Sequence, residues 1–271
     1  NTYFKNSLKI YLIIKLFLII NFLKKKIKIL VDLKNLKKNY GEKQAVKSIS
    51  FKINENEILG LLGPNGSGKT TTIGMMLGLL KPTSGEVLIE GDKIEEDRIK
   101  ILQKINFISP YIELPKKLTV KQNLEVYGRL YGVKNLSERI LEISEDLDIK
   151  NFFKRKTGEL SSGQKNRVSL AKSLINKPEI LFLDEPTASL DPDIGDFVRK
   201  YIEDYKSKNK VSILLASHNM KEVERLCDQV IMMKEGEIVD RGTCKSLIDK
   251  HGRNNLEDTF LKLARNKNEL E

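Results

Sequence analysis

The chain has no tryptophan, and its 271 residues include only two cysteines and two histidines. Cys227 and Cys244 are too few for a disulfide framework or a four-ligand zinc site. His218 and His251 are too few for a His-rich metal centre. Such sparing use of cysteine fits a reducing compartment. A broad excess of charge is also lacking. The formal net charge is +11, yet residues 1–40 hold ten Lys against a single acid, Asp32, which leaves 38 basic and 36 acidic residues in the remainder. A near-neutral body excludes a generally basic nucleic-acid-binding domain, and no nucleic-acid partner is expected. Residues 29–250 contain no multi-span hydrophobic pattern, so any membrane channel must lie on another chain. With 40% hydrophobic and 31% charged residues the composition is that of a globular protein rather than a disordered one. The length suits one large domain with a subdomain.

The beginning of the chain reads differently. Leu8–Leu23 is almost all Ile, Leu and Phe, broken by Lys9, Lys15 and Asn21, and is followed by Lys24, Lys25, Lys26 and Lys28. As a helix it would span about 24 Å, short of the roughly 30 Å of bilayer hydrocarbon. Lys15 at mid-membrane would cost roughly 2.5–3.5 kcal/mol. No small-residue cleavage site follows it. Two readings stand for residues 1–28: a membrane-surface segment with its lysines toward anionic lipid, or non-native sequence, since the chain starts at Asn1 and its Ile/Lys/Asn/Phe composition resembles translated AT-rich upstream DNA.

From Ile29 onward the pattern is α/β. Ile29–Leu36 and Val46–Ile53 read as antiparallel strands joined across a turn at Gly41. Ile58–Leu62 is an apolar run ending in a glycine-rich loop. Gly68–Leu80 reads as a helix stopped at Lys81-Pro82. Val87–Ile89 and Ile105–Ile108 are further strands. Residues 119–150 read as wholly helical, opened by a capping box of Thr119 and Gln122, with Leu124, Val126, Leu130 and Tyr131 as the apolar stripe. Ile180–Leu183 and Ile213–Ala216 are continuous apolar runs, as buried parallel strands require. Lys234-Glu235-Gly236 separates two short runs as a hairpin would. Leu256–Ala264 is a last short helix.

Chemistry concentrates in three places. Gly63-Pro64-Asn65-Gly66-Ser67-Gly68-Lys69-Thr70 matches G-x-x-x-x-G-K-[ST] between a strand and a helix. Its glycines let successive N–H groups turn inward around phosphate oxygens, and the helix N-terminus adds partial positive charge. Lys69 reaches the β/γ-phosphates, and the Thr70 hydroxyl can coordinate Mg²⁺. Further on, the strand Ile180–Leu183 ends in Asp184-Glu185. Asp184 takes the Mg²⁺-holding role at the end of a neighbouring strand, and Glu185, facing differently, can act as general base on water. His218 ends a third strand at the carboxyl edge, where ligands bind in open α/β sheets, and can bond the γ-phosphate or the attacking water.

These motifs carry a resemblance. Leu160-Ser161-Ser162-Gly163-Gln164 before a helix resembles the L-S-G-G-Q signature of the ATP-binding-cassette (ABC) ATPases, and the likeness continues through Leu183-Asp184-Glu185-Pro186-Thr187 and Ala188-Ser189-Leu190-Asp191-Pro192. It covers about residues 29–250. It implies an α/β fold of P-loop NTPase type with an antiparallel β subdomain and a helical subdomain at about 111–176, followed by a helical tail at 251–271. It further implies that Tyr40 stacks on adenine with Val46 beside it, and that Gly63 to Thr70 together with Thr71 form the phosphate loop. Ser161, Ser162, Gly163 and Gln164 would contact the γ-phosphate of ATP held by an opposite subunit, and Ser189–Asp191 would be the D-loop crossing that interface. Lys69, Glu185 and His218 would be the catalytic groups. ATP and Mg²⁺ are the implied ligands.

The implied function is the ATP-hydrolysing subunit of a transporter, similar to the branch exporting drugs or polysaccharides. Its partners would be a transmembrane permease and a second ATPase subunit, identical or different. It would lie peripherally at the cytoplasmic face of the membrane, held through the permease that docks near residues 111–160. One position departs from the family pattern. Where the family has a glutamine after the strand Ile105–Ile108, this chain has Ser109-Pro110-Tyr111-Ile112, and neither Gln103 nor Gln122 replaces it obviously. Proline offers no side-chain ligand, so water or Ser109 would complete the Mg²⁺ shell. Two alternatives remain at this level: a non-transport ATP-switched binding module, and a catalytically weak half of an asymmetric pair.

Overall fold

The structure, a computed structural model, describes residues 28–110 and 112–265. The apolar run and lysine cluster up to residue 27, Tyr111 and residues 266–271 lie outside the described residues. In chain order the elements are β1 (Ile29–Tyr40), β2 (Lys43–Asn54), β3 (Ile58–Leu62), α1 (Lys69–Met76), β4 (Ser84–Ile89), β5 (Asp92–Lys93), α2 (Arg98–Leu102) and β6 (Ile105–Ile108). Helices α3 (Val120–Leu130), α4 (Leu136–Asp146) and α5 (Ser162–Leu174) follow before β7 (Ile180–Asp184). The remainder is α6 (Pro192–Asn209), β8 (Ser212–Ala216), α7 (Met220–Leu226), β9 (Gln229–Lys234), β10 (Glu237–Gly242), α8 (Cys244–His251) and α9 (Leu256–Arg265).

Two sheets form. The antiparallel one has the order β2-β1-β4-β5, and the six-stranded one the order β10-β9-β3-β8-β7-β6. In the latter, β9, β3, β8, β7 and β6 run parallel and β10 pairs antiparallel at the edge. The central strands are apolar at successive residues because both faces are covered. Ile180, Phe182, Leu214 and Ala216 pack with Leu33, Leu36, Ile53 and Met75 on the side of the antiparallel sheet and α1. Leu181, Leu183, Ile213 and Leu215 pack on the other side with Val120, Leu124, Ile140, Ile143, Val168 and Ile202 from the helices. Alternation along a strand sends neighbouring residues to opposite cores. Each fully buried Leu or Ile contributes roughly 1.5–3 kcal/mol.

Several expected bounds shift for local reasons. The first two strands extend to Tyr40 and begin at Lys43, meeting across the Gly41-Glu42 turn. Helix α1 ends at Met76, short of Leu80, because Gly78 adopts φ 65° and the N–H groups of Leu79 and Leu80 turn back to Gly74 O at 2.9 and 3.0 Å. Gly78 thus stops the helix before Pro82 is reached. Residues 119–150 are two helices, not one. The chain turns at Gly132 (φ 65°) and Asn135 (φ 51°), and Gly128 leaves room for Leu136 to fold back. The Thr119–Gln122 capping box forms reciprocally, at 2.9 and 3.2 Å. The inward stripe of α3 is Val120, Leu124, Tyr127 and Tyr131, the spacing of one helical face, whereas Val126 and Leu130 point to solvent.

Candidate functional site

Three adjacent parallel strands, β3, β8 and β7, release their chains at one edge of the sheet. From β3 the chain leads to the antiparallel sheet and β6, and it later returns to place β8 on one side of β3 and β9 on the other. This is a switch point of the kind at which ligands bind in open α/β sheets. The loop after Leu62 opens α1. The loop after Leu183 carries Asp184 and Glu185. The loop after Ala216 carries His218.

The phosphate loop is built for close approach. Gly66 and Gly68 hold φ of 81° and 104°, and a Cβ on Gly68 would come within 2.7 Å of Ala45 O. Gly68 occupies the N-cap of α1 with no side-chain cap, so the first N–H groups of that helix have no side-chain acceptor of their own. The Lys69 ammonium, on a 9% exposed side chain, donates to Gly63 O at 2.5 Å and Pro64 O at 3.2 Å. Burial pushes its pKa down, and the charges of Glu185 and Asp184 oppose that shift. Ser67 Oγ is buried and has no hydrogen-bond partner among the described residues. The turn of the β9–β10 hairpin lies against this loop, for Gly236 N donates to Ser67 O at 3.0 Å and Lys47 N donates to Gly236 O at 2.7 Å. That contact was not legible from the hairpin signal, because it joins residues 169 positions apart.

A cleft of about 480 Å³ lies over the loop, lined by Tyr40, Ala45, Lys47, Asn65–Thr71 and Glu235 among others. Tyr40 is 48% exposed there. Val46 does not line the cleft. It is fully buried under Gly68, because alternation along β2 turns Ala45 and Lys47 outward and Val46 into the core. Thr70 is exposed at the start of α1.

Asp184 is 4% exposed and accepts from Ser109 Oγ at 3.3 Å. Burial and then the Glu185 charge push its carboxyl upward, opposed by the Ser109 bond and Lys69. Glu185 is held by its own N–H, which donates to Ala216 O at 2.8 Å, and has φ 52°. Its Oε2 meets His218 Nδ1 at 2.7 Å, with the His218 ring largely exposed. Pro110 is exposed beyond Ser109. Gln122 is engaged in its cap, and Gln103 lies at the end of α2, so neither enters this site. Among the described residues no group of three or more His, Cys, Asp or Glu is arranged to hold a metal. Asp184, with the Ser109 hydroxyl bonded to it, is instead a donor set of the kind that suits an ion that arrives with phosphate and keeps several waters.

The signature residues sit elsewhere. Ser161 caps α5 reciprocally with Gln164, its Oγ accepting from Gln164 N at 3.3 Å and its N donating to Gln164 Oε1 at 3.1 Å. Ser162 is exposed and Gly163 packs near Ile194. Ser162 lines a second cleft of about 220 Å³ with Ser109, Pro110, Asn166 and Glu185. No residue lining it also lines the phosphate-loop cleft. Ser189, at φ 59°, and Asp191, the N-cap of α6, are both exposed. The chain therefore brings the Asp184 and Glu185 charges to Lys69 and Glu185 to His218, while the signature Ser162 and the D-loop Leu190 line the second cleft together with Glu185 and stay out of the phosphate-loop cleft.

Known proteins share the sequence family and the fold. The ABC transporter family profile matches residues 46–188. The Nod factor export ATP-binding protein I of Burkholderia orbicola (strain AU 1054) is 36% identical over 221 residues, covering 81% of this chain and 72% of that one. The ABC transporter ATP-binding protein NatA of Bacillus subtilis (strain 168) is 35% identical over 226 residues, covering 82% and 92%. Among solved structures, the dimeric bacterial ABC transporter cassette MJ0796 superposes with a TM-score of 0.73 at 30% identity, covering 79% of this chain and 98% of that one. The same cassette is known as a post-hydrolysis dimer with ADP and Pi, at a TM-score of 0.72 and 29% identity. This chain belongs to the ABC transporter family, as an ATP-binding subunit with ATPase activity.

Proposed function

We propose that this chain powers export by closing on ATP with a second ATPase subunit and passing that closure to a transmembrane permease. The observation that carries the reading is the division of the site. The uncapped, lysine-bearing helix N-terminus opens on one cleft, while the signature helix opens on another, which Glu185 also lines. A head-to-tail pair would set the signature of one copy against the phosphates held by the other.

In this reading Tyr40 offers its exposed ring to the adenine, and the loop from Gly63 to Thr71 wraps the phosphates with its N–H groups and Lys69. Thr70 and Asp184 hold Mg²⁺, which when bound offsets charge on the transferring phosphoryl group. Ser109, bonded to Asp184, orients that carboxylate where the family has a glutamine. Glu185 accepts a proton from the attacking water. His218, 2.7 Å from Glu185, holds the carboxylate and reaches the γ-phosphate side. Ser161, Ser162, Gly163 and Gln164 of one copy, with Ser189–Asp191, meet the nucleotide and the interface of the other.

Residues 29–250 form the cassette, with a helical subdomain at about 111–176 and a tail from 251. The permease seats beside that subdomain, where exposed Leu79, Ile99 and Leu130 line an apolar groove. The protein is then peripheral, at the cytoplasmic face. Export follows the name of the Nod factor export relative. Glu185→Gln tests the reading: ATP binding persists, turnover falls by about 10²–10⁴-fold, and ATP with Mg²⁺ yields a stable dimer by light scattering. A fully active variant removes the base role, and a protein that stays monomeric with ATP removes the shared site.

A further inference from the structure

The loops carrying Glu185 and His218 are joined by a side chain that belongs to neither. Glu222, on α7, is 1% exposed. Its Oε1 accepts from Thr187 Oγ1 at 2.8 Å and its Oε2 from Ser217 Oγ at 2.6 Å. Thr187 lies two residues beyond Glu185, and Ser217 immediately precedes His218. The helix that carries Glu222 is set by the same loop, since Asn219 Oδ1 accepts from Glu222 N at 3.3 Å and Asn219 N donates to Ser217 Oγ at 3.1 Å.

This carboxylate is costly where it stands. No salt bridge to it forms among the described residues; burial pushes its pKa up and the Glu185 charge adds to that, against the two hydroxyls and the Arg199 charge. An ionisable group buried against hydroxyls rather than in a direct salt bridge is a poor way to fill space, and an apolar side chain would fill it at less cost. What the carboxylate supplies is geometry, because two acceptor oxygens at a fixed separation hold two hydroxyls from different loops. Among the described residues it adds to the bond from Glu185 N to Ala216 O and the Glu185–His218 contact as a tie between these loops.

We propose that Glu222 is a positioning residue for hydrolysis: it locks the Thr187 and Ser217 hydroxyls together, and so keeps Glu185 and His218 in register. The proposal rests on Glu185 being the base. Thr187 also begins the turn that leads to Ser189–Asp191, so a shift of that turn at the interface reaches His218 through Glu222.

Steady-state ATPase kinetics and ATP calorimetry with Mg²⁺ test it on the full chain. Glu222→Ala is expected to lower kcat about 10- to 100-fold, the scale of a small misplacement of reacting groups. Its ATP affinity should stay within about twofold of the parent, a split that general damage to the fold would not give. Glu222→Gln keeps one acceptor and gains one donor, which a rotated hydroxyl can accept, so it should recover most of kcat. Thr187→Val combined with Ser217→Ala cuts the same tie without touching the carboxylate. It should reproduce the kcat loss, and adding Glu222→Ala should cost nothing more. Native kcat in Glu222→Ala overturns the proposal, as do equal losses of kcat and ATP affinity in both sets, or losses that multiply. A Glu185→Gln protein that hydrolyses at the parent rate removes the base itself, and is told apart because the Glu222 series is measured separately.

Discussion

The two helices that define the site begin in opposite ways. Helix α1 starts behind Gly68, at φ 104°, with no side chain bonding its first N–H groups. Helix α5 starts behind Ser161, with Ser161 and Gln164 capping each other. Every helix leaves its first four N–H groups unsatisfied by its own ladder. At α1 those donors face a cleft beside a buried lysine, so an anion is their natural acceptor. At α5 the protein meets part of the need itself, so a phosphate arriving from another copy must compete with, or rearrange, an existing cap. One helix N-terminus is built to bind within the chain, and the other to be recruited.

The contrast predicts unequal responses. Lys69→Ala strikes the open terminus and should reduce turnover by about 10²–10³-fold, the scale of removing one electrostatic stabiliser, with ATP affinity lost by calorimetry. Unchanged turnover would break the comparison at its first member. Ser161→Ala strikes the capped terminus. It should cost about 1 kcal/mol of thermal stability and weaken ATP-driven dimerisation, while leaving ATP binding by the single chain intact. A loss of single-chain binding would mean that the two termini are not separate in role.

Pro110→Gln adds a polar side chain beside Ser109, at the rim shared by Asp184 and the signature cleft. It should raise permease-stimulated ATPase a few-fold and basal activity less. No change in either would show that Ser109 already serves there.

The smallest effect lies away from the site, where charges are paired rather than left for a ligand. Glu90 is held at about 2 by Lys104 and Lys28, below its ordinary 4.5. A depressed carboxylate adds stability above its unfolded value, and that stability is lost as pH falls from about 4.5 toward 2. Because the Lys28 partner is about half exposed and water screens the pair, Glu90→Gln should only slightly flatten the acid side of the melting-temperature profile. A profile identical to that of the parent would show that the pair contributes nothing.

Much of this could be read from consecutive residues. The phosphate loop, the Asp184-Glu185 strand end, the Thr119–Gln122 box and the apolar strands β3, β6, β7 and β8 are local, because each depends on neighbours within a few positions. The division of 119–150 is not legible in the sequence because an apolar, charged stretch with two glycines still suits a helix, and the break at Gly132–Asn135 is set by Leu136 packing over Gly128. The resemblance implies Val46 beside the adenine, whereas strand alternation turns it into the core.

What the order of amino acids determined alone is the chemistry on offer: a loop able to cradle phosphate, two adjacent carboxylates, a histidine and a signature turn. Their pattern is contiguous, and backbone sterics and hydrogen bonding dictate such pieces locally. What only the tertiary structure decided is who meets whom. The pairing of β7 with β8 brings Glu185 to His218, Glu222 ties Thr187 to Ser217, and the signature opens on a cleft that Glu185 lines and the phosphate loop does not. Those meetings join residues tens of positions apart, and sheet register and core packing, to which no local window has access, set their distances.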